Sequence, residues 1–340
     1  MKILVGLSGG VDSTAAAVLL QEQGHTVGGV HLHLCGDGAA EDARAVAQQL
    51  HIPFTVLDRR AAFRREVMEP FGESYRCGDT PNPCIVCNRR IKFGVMLDWA
   101  LENGYDAVAT GHYARVEKSG DRFVLKKAED PTKDQSYVLY SLTQHQLAHT
   151  VMPLSAYTKA QLRQMVGERG LVTAHKADSQ DICFVPDGDY VAFLERELGI
   201  RGERGAFLDT AGRVIGEHRG SLCYTVGQRK GLGVAFGEPR FVLRKDAVNN
   251  TVTLGTNDEL FTDTVVARDA NWIAVEKLCE PTRVTVKTRY KQQETAATVT
   301  PLDGGRFSVR LDTPVRAVTA GQAIVLYQGD TVLGGGTIEG

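Results

Sequence analysis

The first apolar run of the chain, Ile3, Leu4 and Val5, stops at Gly6. A short run of this kind, bounded by glycine, predicts a strand buried on both faces. Ser8, Gly9 and Gly10 add no bulky side chain. From Asp12 or Ser13 onward, Ala15, Ala16, Val18, Leu19 and Leu20 predict a well-packed helix. The two patterns then alternate. Strands are expected over 26–34, 54–58 and 106–110, and helices over 39–50, 61–71 and 88–101, with a loop leading to Pro83. In the last helix Ile91, Val95 and Trp99 fall four apart on one face. Alternating strands and helices predict an α/β fold with a doubly wound parallel sheet, whose ligands sit at the C-terminal ends of the strands. Ser8 to Ser13, Leu32 and Gly111 all lie at such ends.

From residue 114 the pattern shifts to a hairpin ending at 127, with Ser119-Gly120-Asp121 at its turn. Lys133-Asp134-Gln135 is then expected as a charged turn before a YVLY strand. A helix beginning near Thr158, a loop over 172–186 and a helix over 189–198 follow. Beyond Gly199 helical patterning nearly stops, and short alternating runs separated by turn residues predict two small β units with a boundary within 263–272. The expected division is 1–198, 199–265 and 266–340.

With 340 residues, the chain is long enough for two or three domains with cores of their own. A net charge of −2 provides no global basic field, so any nucleic-acid surface must be local. A single Lys precedes the first strand and no apolar run reaches membrane-spanning length, which together lead us to expect a cytoplasmic protein with no membrane partner. Seven cysteines, an odd number scattered over a long chain, argue against a disulfide scaffold. In a reducing compartment, grouped cysteines point to catalysis or metal binding.

A strand that feeds a glycine turn and then a helix presents unpaired amides and the positive end of the helix dipole, a place for phosphate. No Lys follows the glycines, so this is not a Walker loop. SGGVDS offers the Ser8 and Ser13 hydroxyls, the amides of Gly9 and Gly10, and the carboxylate of Asp12. A carboxylate beside phosphates requires a cation such as Mg²⁺ or a backbone donor to offset it. The stretch resembles the PP-loop of N-type ATP pyrophosphatases, which cleave ATP between its α and β phosphates and adenylate a poorly reactive oxygen.

CGDTPNPCIVCNRRIKF, residues 77–93, is the second informative stretch. Pro81 and Pro83 hold Asn82 extended. Cys84 and Cys87 follow where a helix begins, and its amides, with Arg89, Arg90 and Lys92 nearby, are expected to lower a thiol pKa and favour thiolate. A lone CxxC is also compatible with packing or with half of a zinc site. Cys77 and Cys183 are further candidate ligands, whereas Cys35, Cys223 and Cys279 are expected to be packing residues. In the segment 283–291, strand alternation puts Arg283, Lys287, Arg289 and Lys291 on one face, with Val284, Val286 and Tyr290 on the other. That face serves either as a solvated edge or as a surface for phosphates, and GQRKGLG (227–233) has the same two readings.

The ordered set GLSGGVDS, TPNPCIVCNRRIKF, ATGHYARV, KDQSYVLY, DSQDICF, YTVGQRKGLG, VKTRYKQ and TAGQAIVLY spans nearly the whole chain and resembles the bacterial tRNA-uridine 2-sulfurtransferase family. The resemblance implies a pyrophosphatase domain, a small central β-rich domain and a C-terminal β-barrel. It also implies ATP-dependent 2-thiolation of a wobble uridine: the uracil oxygen is adenylated and sulfur is then transferred. On the matching positions, Gly6, Leu7, Ser8, Gly9, Gly10, Val11, Asp12, Ser13, Leu32 and Gly111 would contact ATP. Cys87 would be the nucleophile and Cys183 the persulfide carrier. Asn82, Pro83, Cys84, His112, Lys133, Asp134, Gln135, Arg289, Tyr290 and Gln322 would meet tRNA. Cys84 departs from the family form that carries Asp there. Cys84, Cys87 and Cys183 resemble the three-cysteine set of related thiolation enzymes, which implies a [4Fe-4S] cluster as an alternative sulfur carrier. The partners implied are tRNA and a sulfur donor protein or sulfide source. Two other readings remain: a PP-loop ligase acting on a small acceptor, and a non-catalytic, metal-bearing RNA-binding module.

Overall fold

The apolar run at the start of the chain becomes β1 (Lys2–Gly6), whose Ile3, Leu4 and Val5 are buried. In the computed structural model, which describes residues 1–36, 40–174, 176, 182–234 and 237–340, β1 lies inside a five-stranded parallel sheet. On one side stand β2 (Thr26–His33) and then β3 (Phe54–Asp58). On the other stand β4 (Ala107–Ala109) and then the short strand Thr150–Val151. The chain winds outward from β1 through α1 (Val11–Glu22), β2 and α2 (Ala40–Gln49) to β3, and returns to lay β4 on the opposite edge of β1. The winding reverses between β1 and β4, which opens a crevice at the C-terminal ends of those two strands. The expected doubly wound sheet is therefore present.

α1 is buried along most of its length, from Val11 through Leu20 except Asp12, packed between the sheet and the helix Lys159–Glu168. That helix begins at Thr158, which forms a capping box with Gln161. The helical run after Pro83 is not a single α-helix: Pro83–Cys87 and Met96–Glu102 flank a wider π-helical stretch, Asn88–Val95. The wide turns rotate the apolar face. Ile91 and Val95 pack with Cys87 in one cluster, while Trp99 packs with Phe93, Met96 and Leu97 in another, so the three do not share one face as expected.

The expected YVLY strand is instead a 3₁₀ turn, Ser136–Leu139. All four of its residues are buried, whereas a strand on a half-solvated surface would bury only alternate ones. They fill the junction between the parallel sheet and a barrel. The barrel closes through six strands in the order Phe261–Trp272, Phe307–Arg316, Thr295–Pro301, Thr282–Lys287, Ala323–Gln328 and Thr331–Ile338, the last pairing back onto the first. The hairpin Ala114–Ser119/Arg122–Lys127 is attached to this barrel through Lys126 opposite Thr331, although it belongs to the N-terminal part of the sequence. Between the two bodies in sequence lies a four-stranded sheet of Phe241–Asp246, Thr251–Gly255, Gly205–Leu208 and Val214–His218. The strand Phe261–Trp272 runs straight through the division expected at 265/266. Among the described residues, no helix is long and apolar enough to cross a membrane.

Barrel and sheet share one apolar core: Tyr137, Leu139 and Tyr140 pack with Ile273, Val325, Tyr327 and Val332. Tyr137 donates its hydroxyl to the Ala323 carbonyl at 2.8 Å, and Asn271 donates to the carbonyls of Tyr140 and Leu142. The close approach depends on Gly335, where a Cβ would lie 2.6 Å from the Ile324 oxygen and 2.7 Å from the Tyr140 ring. Gly335→Ala is therefore expected to destabilise the protein by about 1–3 kcal/mol. Denaturant unfolding measures this, and an unchanged midpoint would contradict the packing.

Candidate functional site

The glycine turn after β1 forms a cradle. Leu7 donates its amide to the Val30 oxygen, and Gly9 adopts φ +72°, a conformation that glycine accepts without cost. Gly10 caps α1 in an extended conformation without a side-chain bond to the first amides. The Ser8 and Ser13 hydroxyls lie 3.2 Å apart, and the Ser8 amide donates to Ser13 Oγ. Asp12 does not face phosphate alone. Tyr113 donates its hydroxyl to Asp12 Oδ1 at 2.7 Å, and Lys159 Nζ meets the same oxygen at 2.7 Å. Lys159 is thus the offsetting cation. Sequence reading missed both partners because they lie 101 and 147 residues away. Only Lys159's position at the start of a capped helix was visible.

Gly111, just past β4, presses on the same turn: a Cβ there would lie 2.7 Å from Asp12 Cβ and 2.8 Å from the Ser13 amide nitrogen. Leu32, at the end of β2, is partly buried beside the cluster that holds Cys87. Gly111 and the turn Ser8 to Ser13 therefore meet at the switch point, while Leu32 lies toward Cys87.

The thiols lie next to it. Asn82 caps the helix Pro83–Cys87 by accepting the Cys84 amide at 3.1 Å. Cys87 is buried at 7 % exposure, whereas Cys84 and Cys183 are exposed. Lys92 is the common cation, since its charge acts on Cys84, Cys87, Cys183 and also on His112. His112 adjoins Gly111 in the chain, so phosphate cradle and thiols form one continuous site. His112 is buried and bonded to Thr110 Oγ1 at 2.7 Å; desolvation, and then Lys92, hold its pKa well below the usual histidine value, so it is neutral.

The expected thiolate activation at Cys84 and Cys87 is not found. Burial pushes Cys87 up to about 11, and Cys84, although it reaches solvent, is raised as well by desolvation from the atoms packed around it; Lys92 offsets only part of this. The desolvation of the pocket outweighs the cation, and of the three expected cations only Lys92 is among the causes.

Cys35, expected to be a packing residue, is exposed at the end of β2 and lies against Cys183: its Sγ is 3.9 Å from the Cys183 carbonyl oxygen, and each thiol influences the other's ionisation. As a coupled pair, they release the first proton more readily than an isolated thiol, on the Cys35 side, and hold the second more tightly, on the Cys183 side. Most of the motif before Cys183, residues 178–181, lies outside the described residues. Among the described residues, no three Cys, His, Asp or Glu side chains group so as to hold a metal ion. Cys84, Cys87 and Cys183 are near enough for their charges to act on one another, but among the described residues they do not gather round one point as the three ligands of a cluster would.

The residues expected to meet tRNA divide into two sets. Pro83 is buried, and Asn82 and Cys84 sit at the mouth of the site, where the Tyr290 hydroxyl is close enough to Cys84 and Asp134 to feel their charge. The others are engaged in the architecture. Asp134 is buried and accepts from the Ala128 and Ser136 amides and the Ser136 hydroxyl. Gln135 accepts the Tyr113 amide. Lys133 follows Asp130 in a turn, donating its amide to the Asp130 carbonyl at 3.2 Å. Arg289 donates to the Ala317 carbonyl and to Thr319 Oγ1, and Gln322 donates to the Thr80 carbonyl at 2.6 Å. The Thr80 amide in turn donates to Ala320, and Lys245 reaches the Asp79 carbonyl and Thr80 Oγ1. The segment before the CxxC is thus clamped by the barrel and the middle sheet. The basic stripe also differs from expectation: alternation ends at Lys287, Arg283 pairs with Asp312 at 2.6 Å, and Arg289, Tyr290 and Lys291 lie beyond the strand. In contrast, Arg229 and Lys230 of the glycine-flanked loop are exposed.

The chain matches three family models in succession. They are described as the tRNA methyl transferase HUP domain over residues 1–187, the tRNA methyl transferase PRC-barrel domain over 191–256 and the aminomethyltransferase beta-barrel domain over 262–338. It is 49% identical to the tRNA-specific 2-thiouridylase MnmA of Moorella thermoacetica and 46% identical to that of Acetivibrio thermocellus, each alignment covering 99% of both chains. It is also 46% identical to the tRNA-specific 2-thiouridylase MnmA of Treponema denticola, over 100% of this chain and 98% of that one.

The contrast between the thiols gives a direct test. At neutral pH, iodoacetamide is expected to modify Cys35 at least about tenfold faster than Cys87, and the Cys87 rate should climb with pH toward 11. Peptide mass spectrometry follows each site. Equal rates at neutral pH would contradict the assignment.

Proposed function

The chain belongs to the tRNA-specific 2-thiouridylase family of sulfurtransferases, and from that premise we propose how its residues carry out ATP-dependent thiolation of tRNA. The observation that carries the reading is the continuity from phosphate cradle to thiols: Asp12 and Ser13 touch Gly111, His112 follows it, and Lys92 links His112 with Cys84, Cys87 and Cys183.

A uracil carbonyl is a weak electrophile and its oxygen a poor leaving group, so the oxygen must first be activated. ATP enters with its Mg²⁺ counter-ion, and the turn Ser8 to Ser13 with the first amides of α1 receives its phosphates. The 2-oxygen of the wobble uridine attacks the α-phosphorus and pyrophosphate leaves. Lys159, held on Asp12, places a cation where negative charge collects on the departing group. Neutral His112 adds no charge beside the base.

In the relay we favour, Cys183 carries a persulfide obtained from a sulfur donor. Its terminal sulfur attacks carbon 2 and AMP leaves. Cys87, deprotonated next to Lys92, then attacks Cys183 Sγ; the sulfur–sulfur bond to the base breaks, the thiolated uridine is released, and a Cys87–Cys183 disulfide remains. An outside dithiol restores the thiols. The relay is supported by the nearness of Cys183 to Cys87, on which its charge acts, and by the burial of Cys87, and no step runs through a cluster. Asn82, Cys84 and Tyr290, at the mouth of the site, are the groups we assign to the extruded base. Arg289 and Gln322 act by holding the segment that carries them, and exposed Arg229 and Lys230 are assigned to tRNA phosphates.

Two measurements test this reading. Cys87→Ser and Cys183→Ser should each lower thiolation by at least about a thousandfold while tRNA-dependent pyrophosphate release persists; full thiolation by either variant would refute the relay, and pyrophosphate release that responds to small acids instead of tRNA would favour a ligase. Replacing Arg229 and Lys230 together by Ala should weaken tRNA binding and reduce the slope of log K against log salt by about 1 to 2, measured by filter binding. An unchanged slope would move the tRNA surface elsewhere.

A further inference from the structure

The relay as described gives no task to Cys35, yet this thiol is in contact with its sulfur carrier. Cys35 follows Leu34 at the open end of β2 and is exposed. Its Sγ lies 3.9 Å from the Cys183 carbonyl oxygen, so the two residues are in contact, and each thiol influences the other's ionisation. The placement is seated on a shared core: Leu34, Ile182, Phe184 and Cys87 all pack into one cluster, so the ends of both loops rest on the apolar body that buries Cys87. The remaining cysteines are arranged differently. Cys77 contacts Glu73, Cys223 contacts the Arg219 carbonyl, and Cys279 contacts the Lys277 carbonyl.

A catalytic cycle that ends in a Cys87–Cys183 disulfide must release Cys87 before the next turnover. Cys87 is 7 % exposed, so a bulky dithiol carrier has poor access to its sulfur. Attack on the other sulfur, Cys183 Sγ, frees Cys87 equally well, and a thiol already touching Cys183 has the advantage of proximity over any reagent from solution. We propose that Cys35 is the resolving thiol of this enzyme, attacking Cys183 in the Cys87–Cys183 disulfide and carrying the oxidation to the surface as a Cys35–Cys183 disulfide.

The step balances. A bond forms between Cys35 Sγ and Cys183 Sγ, the Cys183–Cys87 bond breaks, and the electron pair leaves on Cys87, which takes up the proton that Cys35 gave up. The exchange has no net redox change. A dithiol of the cellular thiol-reducing pool then supplies two electrons and two protons to the exposed Cys35–Cys183 bond and departs as its own disulfide. The proposal rests on the relay reading, and the experiment separates the two.

The full-length enzyme, loaded with persulfide, is given tRNA and ATP without reductant, quenched in acid after one turnover, and its disulfide-linked peptides are identified by mass spectrometry. The wild type is expected to yield the Cys35–Cys183 pair. Cys35→Ser is expected to accumulate Cys87–Cys183, and its steady-state rate at limiting dithiol should fall on the order of tenfold. Cys35→Ala should behave as the Ser variant does, since the defect is loss of a thiol; a defect in only one of the two would indicate packing and overturn the proposal. Finding only Cys87–Cys183 in the wild type, or an undiminished rate in Cys35→Ser, would overturn the resolving role while leaving the relay intact. Finding neither disulfide in any of these proteins would refute the relay and the resolving role with it.

Discussion

The geometry of the site depends on the buried seam where the 3₁₀ turn Ser136–Leu139 joins the parallel sheet to the barrel. Tyr137 is fully buried there, and its hydroxyl, which would be costly to bury alone, is satisfied by the Ala323 carbonyl. Ala323 starts a barrel strand whose preceding turn carries Ala320 and Gln322, which hold the Thr80 backbone. Thr80 leads through Asn82 to the helix of Cys84 and Cys87. The seam therefore sets the position of Cys87 from outside the sheet that carries the glycine turn. Arg289 and Gln322 belong to this same chain of contacts. They secure the turn over 317–322 and, through it, the cysteine segment, so their influence on sulfur transfer does not require them to touch RNA.

The electrostatics are equally economical. The phosphate cradle contains a carboxylate, Asp12, and the fold answers it with a single lysine from a distant helix and a tyrosine hydroxyl. The thiol pocket is served by Lys92, and His112, which stands between the two, is kept neutral by burial. In the proposed relay, charge is thus provided at the end where pyrophosphate leaves and at the end where a thiolate must form. The ground between them, where the uracil ring would lie, carries no charged histidine. A large substrate that must leave again is poorly served by a strongly basic cleft, and the net charge of −2 agrees with this.

The parallel sheet, the phosphate turn and the order of the domains were legible in the sequence because they are written in local patterns: apolar runs, glycine turns and helix caps act within a few residues. What was not legible depends on distance or on desolvation. Lys159 looked like an ordinary helix residue until folding brought it to Asp12. The YVLY segment has strand composition, but a tertiary junction that buries every side of it selects a tight turn. Arg283 and Arg289 alternate like a basic face, yet one is paired across the barrel and the other turned inward. The cysteine pKa values were misjudged for a single reason: a helix start and neighbouring cations are visible in sequence, whereas the apolar cluster around Cys87 is not, and its desolvation is the larger effect. Cys35 was overlooked because its partner lies 148 residues away.

The buried, reluctant Cys87 also resolves a difficulty that any persulfide relay faces. A persulfide on Cys183 has two electrophilic outcomes. If Cys87 attacks Cys183 Sγ before the base has been engaged, the outer sulfur is lost as hydrosulfide and the enzyme is left oxidised with nothing transferred. A freely ionised thiolate beside Cys183 would favour that waste. With its pKa pushed up to about 11, only on the order of one Cys87 in ten thousand is ionised at neutral pH, which slows premature attack even though the thiolate that does form is more nucleophilic for its high pKa. The same burial would hinder the wanted attack as well, were Lys92 not present as a counter-charge once sulfur is bonded to carbon 2 and the thiolated base has become the leaving group. In the proposed relay, then, the high pKa of the nucleophile orders the two sulfur steps, and the apolar cluster that raises it contributes to catalysis as well as to packing.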